Sequence, residues 1–119
     1  MTGLFNYPKR RLKNLVKDGE YAKALEFGHD MEDKYAEDQN FMFIMGSIYF
    51  MVDDSKKALP YFEKALDLDP DDVETLILKT NTHLALNQKN QAMACCKRIL
   101  ALQPENYEAY GILEKLKNV

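Results

Sequence analysis

Two histidines, His29 and His83, and two adjacent cysteines, Cys95 and Cys96, are the residues of this chain best suited to chemistry. A histidine could move protons, and a thiol could act as nucleophile or metal ligand. Such work needs the groups gathered in one pocket with a substrate. The spacing does not gather them. The histidines fall in different predicted helices. His83 follows Lys79 by one turn, with Thr80 and Thr82 between, and the simpler reading is a lysine stem packed beneath a solvated amine with His83 in an aromatic's place. Neighbouring helical positions point about 100° apart, so the two cysteines do not pair with each other. No Cys-x-x-Cys or His-x-x-x-His spacing exists to hold a metal. The cysteines read as one buried thiol beside a partly exposed one in a reducing compartment. No catalysis, cofactor or metal is expected.

Recognition by charge is the second chemistry on offer. Lys9, Arg10, Arg11, Lys13 and Lys17 share one predicted helix with no acid among them. They could hold an acidic or carboxylate-ended peptide by charge-assisted hydrogen bonds, contact RNA, or simply solvate a terminal face. Only Phe5 and Tyr7 lie near enough to stack on bases, which is thin for RNA. A net charge of −3 implies neither a nucleic-acid nor a membrane partner by itself. No apolar run approaches the ~20 residues that span a bilayer. The opening Met1-Thr2-Gly3-Leu4-Phe5 lacks the regions of a secretory signal, so a cytoplasmic protein is expected.

The elements that must carry these side chains repeat. Ala24, Ala58 and Ala92 sit 34 residues apart, inside the similar stretches Tyr21-Ala22-Lys23-Ala24-Leu25, Ser55-Lys56-Lys57-Ala58-Leu59 and Asn90-Gln91-Ala92-Met93. Leu66-Asp67-Leu68-Asp69-Pro70 and Leu100-Ala101-Leu102-Gln103-Pro104 keep the same interval. A period of this length means stacked helical units rather than a globule around a cleft. Apolar periodicity predicts helices over about 8–18, 21–35, 40–52, 55–67, 72–86, 89–102 and 105–117, joined by short turns that make neighbours antiparallel. Asp71 with Glu74 predicts a capping box for the fifth helix. Pro60 falls early in the fourth, where a missing amide is tolerated. With 119 residues the chain is expected to form one domain.

Met42, Met45-Gly46, Tyr49, Ala58, Phe62, Ala65 and Pro70 stand at the spacing of the tetratricopeptide repeat, which this stretch resembles. Two positions depart, with Met in place of Trp and Leu. The third unit keeps Leu76, Ala92 and Pro104, but has Lys79, Thr80, His83 and Cys96 where the family has Leu, Gly, Tyr and Phe. The first unit keeps Gly19, Tyr21 and Ala24 but has Pro8, Arg11 and Leu12 at the family's Trp, Leu and Gly. The resemblance implies an all-α, right-handed superhelical solenoid of antiparallel helix pairs. Its units would cover about 5–38, 39–72 and 73–106, with a closing helix over 107–119, where Tyr110, Leu113 and Leu116 would cap the stack. The whole of 1–119 would then be a single domain.

In this family the first helix of each unit lines the concave side. The resemblance therefore points to Asn40, Phe43, Ile44, Ser47 and Met51 in the second unit, to Glu74, Ile77, Leu78 and Asn81 in the third, and to Glu108, Gly111, Ile112 and Lys115 in the last helix. Lys9 and Lys13 would add charge at one end. Phe43, Ile44, Ile77 and Leu78 read as a surplus apolar strip, which usually marks a contact site. A small rotation of the helices would place some of them in the core instead. Relatives that grip a chaperone's terminal carboxylate use cations and amides where this chain has Lys9, Lys13, Ile44, Glu74 and Leu78, of which only Lys9 fits. The expected function is non-catalytic protein–protein interaction, a scaffold holding a partner peptide or helix in the concave groove. The alternatives are homo-oligomerisation through the same patch and RNA binding by the basic helix.

Overall fold

The computed structural model describes residues 2–118, with side chains from Tyr7 to Asn118, so Phe5 and Val119 lie outside the described side chains. Seven helices follow one another among these residues: α1 (Thr2–Lys17), α2 (Tyr21–Asp30), α3 (Gln39–Met51), α4 (Ser55–Leu68), α5 (Val73–Ala85), α6 (Lys89–Leu102) and α7 (Tyr107–Lys117). The repeat is visible in how the helices stop and start. Gly19, Asp53 and Asn87, each 34 residues from the next, have φ of 76°, 62° and 56°. Each ends the first helix of its unit in a left-handed residue, and Asp and Asn are the non-glycine types that tolerate this conformation. The next amides reach back to the same depth: Glu20 N to Leu15 O at 2.9 Å, Asp54 N to Tyr49 O at 2.8 Å, Gln88 N to His83 O at 2.8 Å. That satisfies carbonyls the helix end would leave open and turns the chain at once into the second helix.

Starts repeat as well. Asp38, Asp72 and Asn106 precede α3, α5 and α7. Asp38 accepts from Phe41 N and Asn106 from Ala109 N, both at 2.9 Å. Here the expected capping box fails. The cap residue of α5 is Asp72, not Asp71, and its carboxylate takes Gln39 Nε2 at 2.8 Å and the Thr75 hydroxyl. Asp71 instead pairs with Arg98. α2 also ends earlier than its periodicity predicts. After Gly28 the chain tightens, with Met31 N on Gly28 O at 3.0 Å, and residues 31–37 form turns. The segment serves tertiary contacts: Tyr35 stacks on Phe41 at 5.3 Å and Glu32 accepts from the Tyr61 hydroxyl. α1 begins before Pro8 rather than at it. A proline there removes one intrahelical bond near the helix start.

Packing rests on small residues at crossings. Ala24, Ala58 and Ala92 are all fully buried. A Cβ at Gly46 would lie 2.7 Å from the Phe62 ring, so α3 and α4 meet where no side chain fits. α1 touches α3 and α3 touches α5, whereas second helices make no comparable contact with one another among the described residues. First helices are thus the closer-packed row and line the inner side of the curve. The stack measures 50 × 27 × 23 Å. At its end α7 buries Ala109 and Leu113, but Tyr110 is 56% exposed, so Tyr110 does not cap as expected. Its exposed face carries the Glu114–Lys117 ion pair instead. No helix among the described residues is long and apolar enough to cross a membrane.

Candidate functional site: the groove of the first helices

Helix geometry places positions i, i+4 and i+7 on one face. Across the first helices this yields three columns at the 34-residue interval: Lys9, Phe43, Ile77, Gly111; then Lys13, Ser47, Asn81, Lys115; then Val16, Phe50, Leu84, Asn118. The middle two units are half-buried at every one of these positions. That is the pattern of a floor, partly packed and partly open.

The structure sorts the residues expected to bind. Phe43 lies against the Tyr49–Ala58–Phe62 cluster, its ring 6.4 Å from that of Phe62. Leu78 packs on the same cluster, and Ile77 on the next, formed by Leu76, Ile99 and Ala109. Ile44 is a correction: at 8% exposure it belongs to the core around Met45 and Ile48 and offers nothing to a ligand. One helical step from Phe43 turns a side chain through about 100°, enough to move it from groove to core. Ser47 donates to the Phe43 carbonyl at 2.8 Å. Asn40 and Asn81 are half-buried, and their side-chain amides make no hydrogen bond among the described residues. Phe50 and Leu84 went unassigned in the sequence, although each follows a groove residue by seven positions. Met51 is exposed at the rim.

The basic end is only partly free. Lys9 is tied to Asp38 at 3.0 Å, and the pair bridges α1 to the start of α3. Burial pushes the Asp38 carboxyl up, but the Phe41 amide and Lys9 outweigh it and hold the pKa below its ordinary value. Arg11 lies over the Phe27 ring at 5.4 Å. Lys13 is exposed in the groove and Lys17 beyond it. A cavity of about 410 Å³ at the outer end of the stack is lined by Tyr7, Arg10, Asn14 and Lys23 among others, and by none of the groove residues of α3 or α5.

The two histidines have separate surroundings. His29 is exposed and meets the Tyr49 hydroxyl at 2.6 Å, while His83 is buried against Gln88 Oε1 at 2.7 Å. Both cysteines are buried, which corrects the expectation that one is partly exposed. Burial pushes both thiols up in pKa and so away from the reactive thiolate. No group of three metal-ligating side chains comes together among the described residues.

A model of the tetratricopeptide repeat matches residues 49–116. Among solved structures, the first TPR of Spaghetti (RPAP3), bound to the HSP90 peptide SRMEEVD, has a TM-score of 0.85 at 21% identity over 94% of this chain and 89% of that one. The second TPR domain of human RPAP3, in complex with the HSP70 peptide SGPTIEEVD, gives 0.83 at 21% over 92% of each. The Yersinia enterocolitica type III secretion chaperone SycD, in complex with a peptide of the translocator YopD, gives 0.88 at 12% over 98% of this chain and 95% of that one. No curated protein matches in sequence. At these identities the structures speak for the fold.

Proposed function

The chain belongs to the tetratricopeptide-repeat family, and from that premise we propose that it is a non-catalytic, cytoplasmic interaction module that holds a segment of a partner protein in the groove of α1, α3, α5 and α7. One observation carries the reading. On two successive first helices an apolar residue, a small polar one and a second apolar one recur at the same positions, Phe43–Ser47–Phe50 and Ile77–Asn81–Leu84, all half-buried. Phe43, Phe50 and Ile77 rest one side on the clusters of their hairpins and leave the other side open to the groove. An apolar stripe beside unpaired amides suits a ligand that buries area and is oriented by a few hydrogen bonds. Structures of the same fold hold peptides of HSP90, HSP70 and YopD, which supports a peptide-sized partner here. The stacked hairpins preform the surface, so little ordering entropy is lost on binding.

Arginine at Ser47 and Asn81 fills the floor without touching the buried clusters. The double variant Ser47→Arg, Asn81→Arg should keep its circular dichroism and melting temperature and lose the partners that copurify with the parent chain. Unchanged partner retention in a folded variant removes the groove from the account. A parent dimer that becomes monomeric in the variant by light scattering would assign the floor to a second copy.

A further inference from the structure

We infer that the groove takes an amphipathic helix of its partner, apolar on one face and acidic on the flank that meets α1, rather than an extended tail; this rests on the groove reading above. An extended segment exposes an amide and a carbonyl at every residue and needs partners for those it buries. The floor supplies few. Phe43, Phe50, Ile77 and Leu84 offer none from their side chains, and the Ser47 hydroxyl gives its one proton to the Phe43 carbonyl, which leaves it able only to accept. Asn81 is the one open amide between them among the described residues. A helix satisfies its own backbone and asks only for an apolar surface. The floor residues of α3 and of α5 stand seven positions apart, roughly 10 Å along each axis, the interval at which a bound helix repeats its own apolar face.

Charge fixes the flank. The described residues of α1 include Lys13 and Lys17, both exposed, and the helix has no acid from end to end. Lys9 does not serve a ligand's carboxylate, because Asp38 holds it at 3.0 Å. In the first turn of α5, one turn before Leu78, stands Glu74, exposed and acidic. A terminal carboxylate seated there would meet like charge and apolar surface, whereas an acidic flank reaching Lys13 meets neither. Charged rims of this kind set orientation and association rate.

Four synthetic probes test this by fluorescence anisotropy and amide chemical shifts on the full chain. They are a Leu-faced helix of about five turns with Glu on its flank, the same peptide with a central proline, the same with Lys on its flank, and a short acidic tail with a free carboxylate. The Glu-flanked helix should bind at least about tenfold tighter than either altered helix, because proline breaks the helix and Lys reverses the charge. Its shifts should fall on α3 and α5 and vanish in Ser47→Arg, Asn81→Arg, and Lys13→Glu should invert the preference for the flank charge. Equal binding of the proline peptide, or tighter binding of the tail in the groove, overturns the helix and leaves the groove standing. Shifts confined to α2, α4 and α6 overturn both.

Discussion

The hairpin of α3 and α4 and the hairpin of α5 and α6 have the same shape and hold it by different chemistry. In the first, fit does the work. Gly46 admits the Phe62 ring at a distance no Cβ allows, and Tyr49 stacks on Tyr61 at 5.7 Å. In the second, Thr80 stands in place of the glycine, His83 of the tyrosine and Cys96 of the phenylalanine, all buried. Their polar atoms are satisfied locally: Thr80 and Thr82 donate to carbonyls four residues back at 2.8 and 2.7 Å, and His83 meets Gln88. A buried hydroxyl bonded within its own helix needs no partner across the interface, so smaller, softer contacts suffice there. The crossing can be closed by a large ring against a glycine or by small groups on both sides.

This contrast makes graded predictions. Phe62→Ala should cost the most, about 3–5 kcal/mol, because it empties the centre of the tighter hairpin. Ala58→Leu should follow at about 1–3 kcal/mol through overpacking. Cys96→Ala, at the position equivalent to Phe62, should cost only about 1 kcal/mol. Urea titrations of the three variants settle the order, and a Cys96 variant as damaging as the Phe62 one would erase the difference between the hairpins. Thr82→Val should change stability by less than about 1 kcal/mol, since the Leu78 carbonyl keeps its main-chain bond when the hydroxyl is gone. A large loss would mean that hydroxyl matters beyond its own helix.

Much of this was legible beforehand, and the misses have physical causes. The 34-residue interval and the order of the helices followed from periodicity. Ile44 was assigned to the groove because hydropathy cannot tell two adjacent apolar residues apart when one helical step separates core from surface. Lys9 read as a free cation because its partner, Asp38, lies on another element. Asp71 and Asp72 are equivalent as caps until Gln39 and Thr75 choose between them. Phe50 and Leu84 were within reach, since adding seven to each groove position finds them.

The smallest expected effect compares two starts of helices, Asp38 and Asn106. Asp38 has a depressed pKa when folded, so its contribution is present above the unfolded value of 3.8 and is lost as pH falls through the lower folded value. Asn106 does not titrate. Asp38→Asn should therefore lower the melting temperature most near neutrality, where the carboxylate's contribution is complete, and the difference from the parent should shrink as pH falls below about 4.

The groove itself is tested most directly by a photo-crosslinking residue placed singly at Ser47 and Asn81, and at Lys64 and Lys97 on the second helices, in cells. The account predicts an adduct with another protein from the first two positions and none from the others. Adducts from Lys64 or Lys97 with none from Ser47 or Asn81 would contradict it.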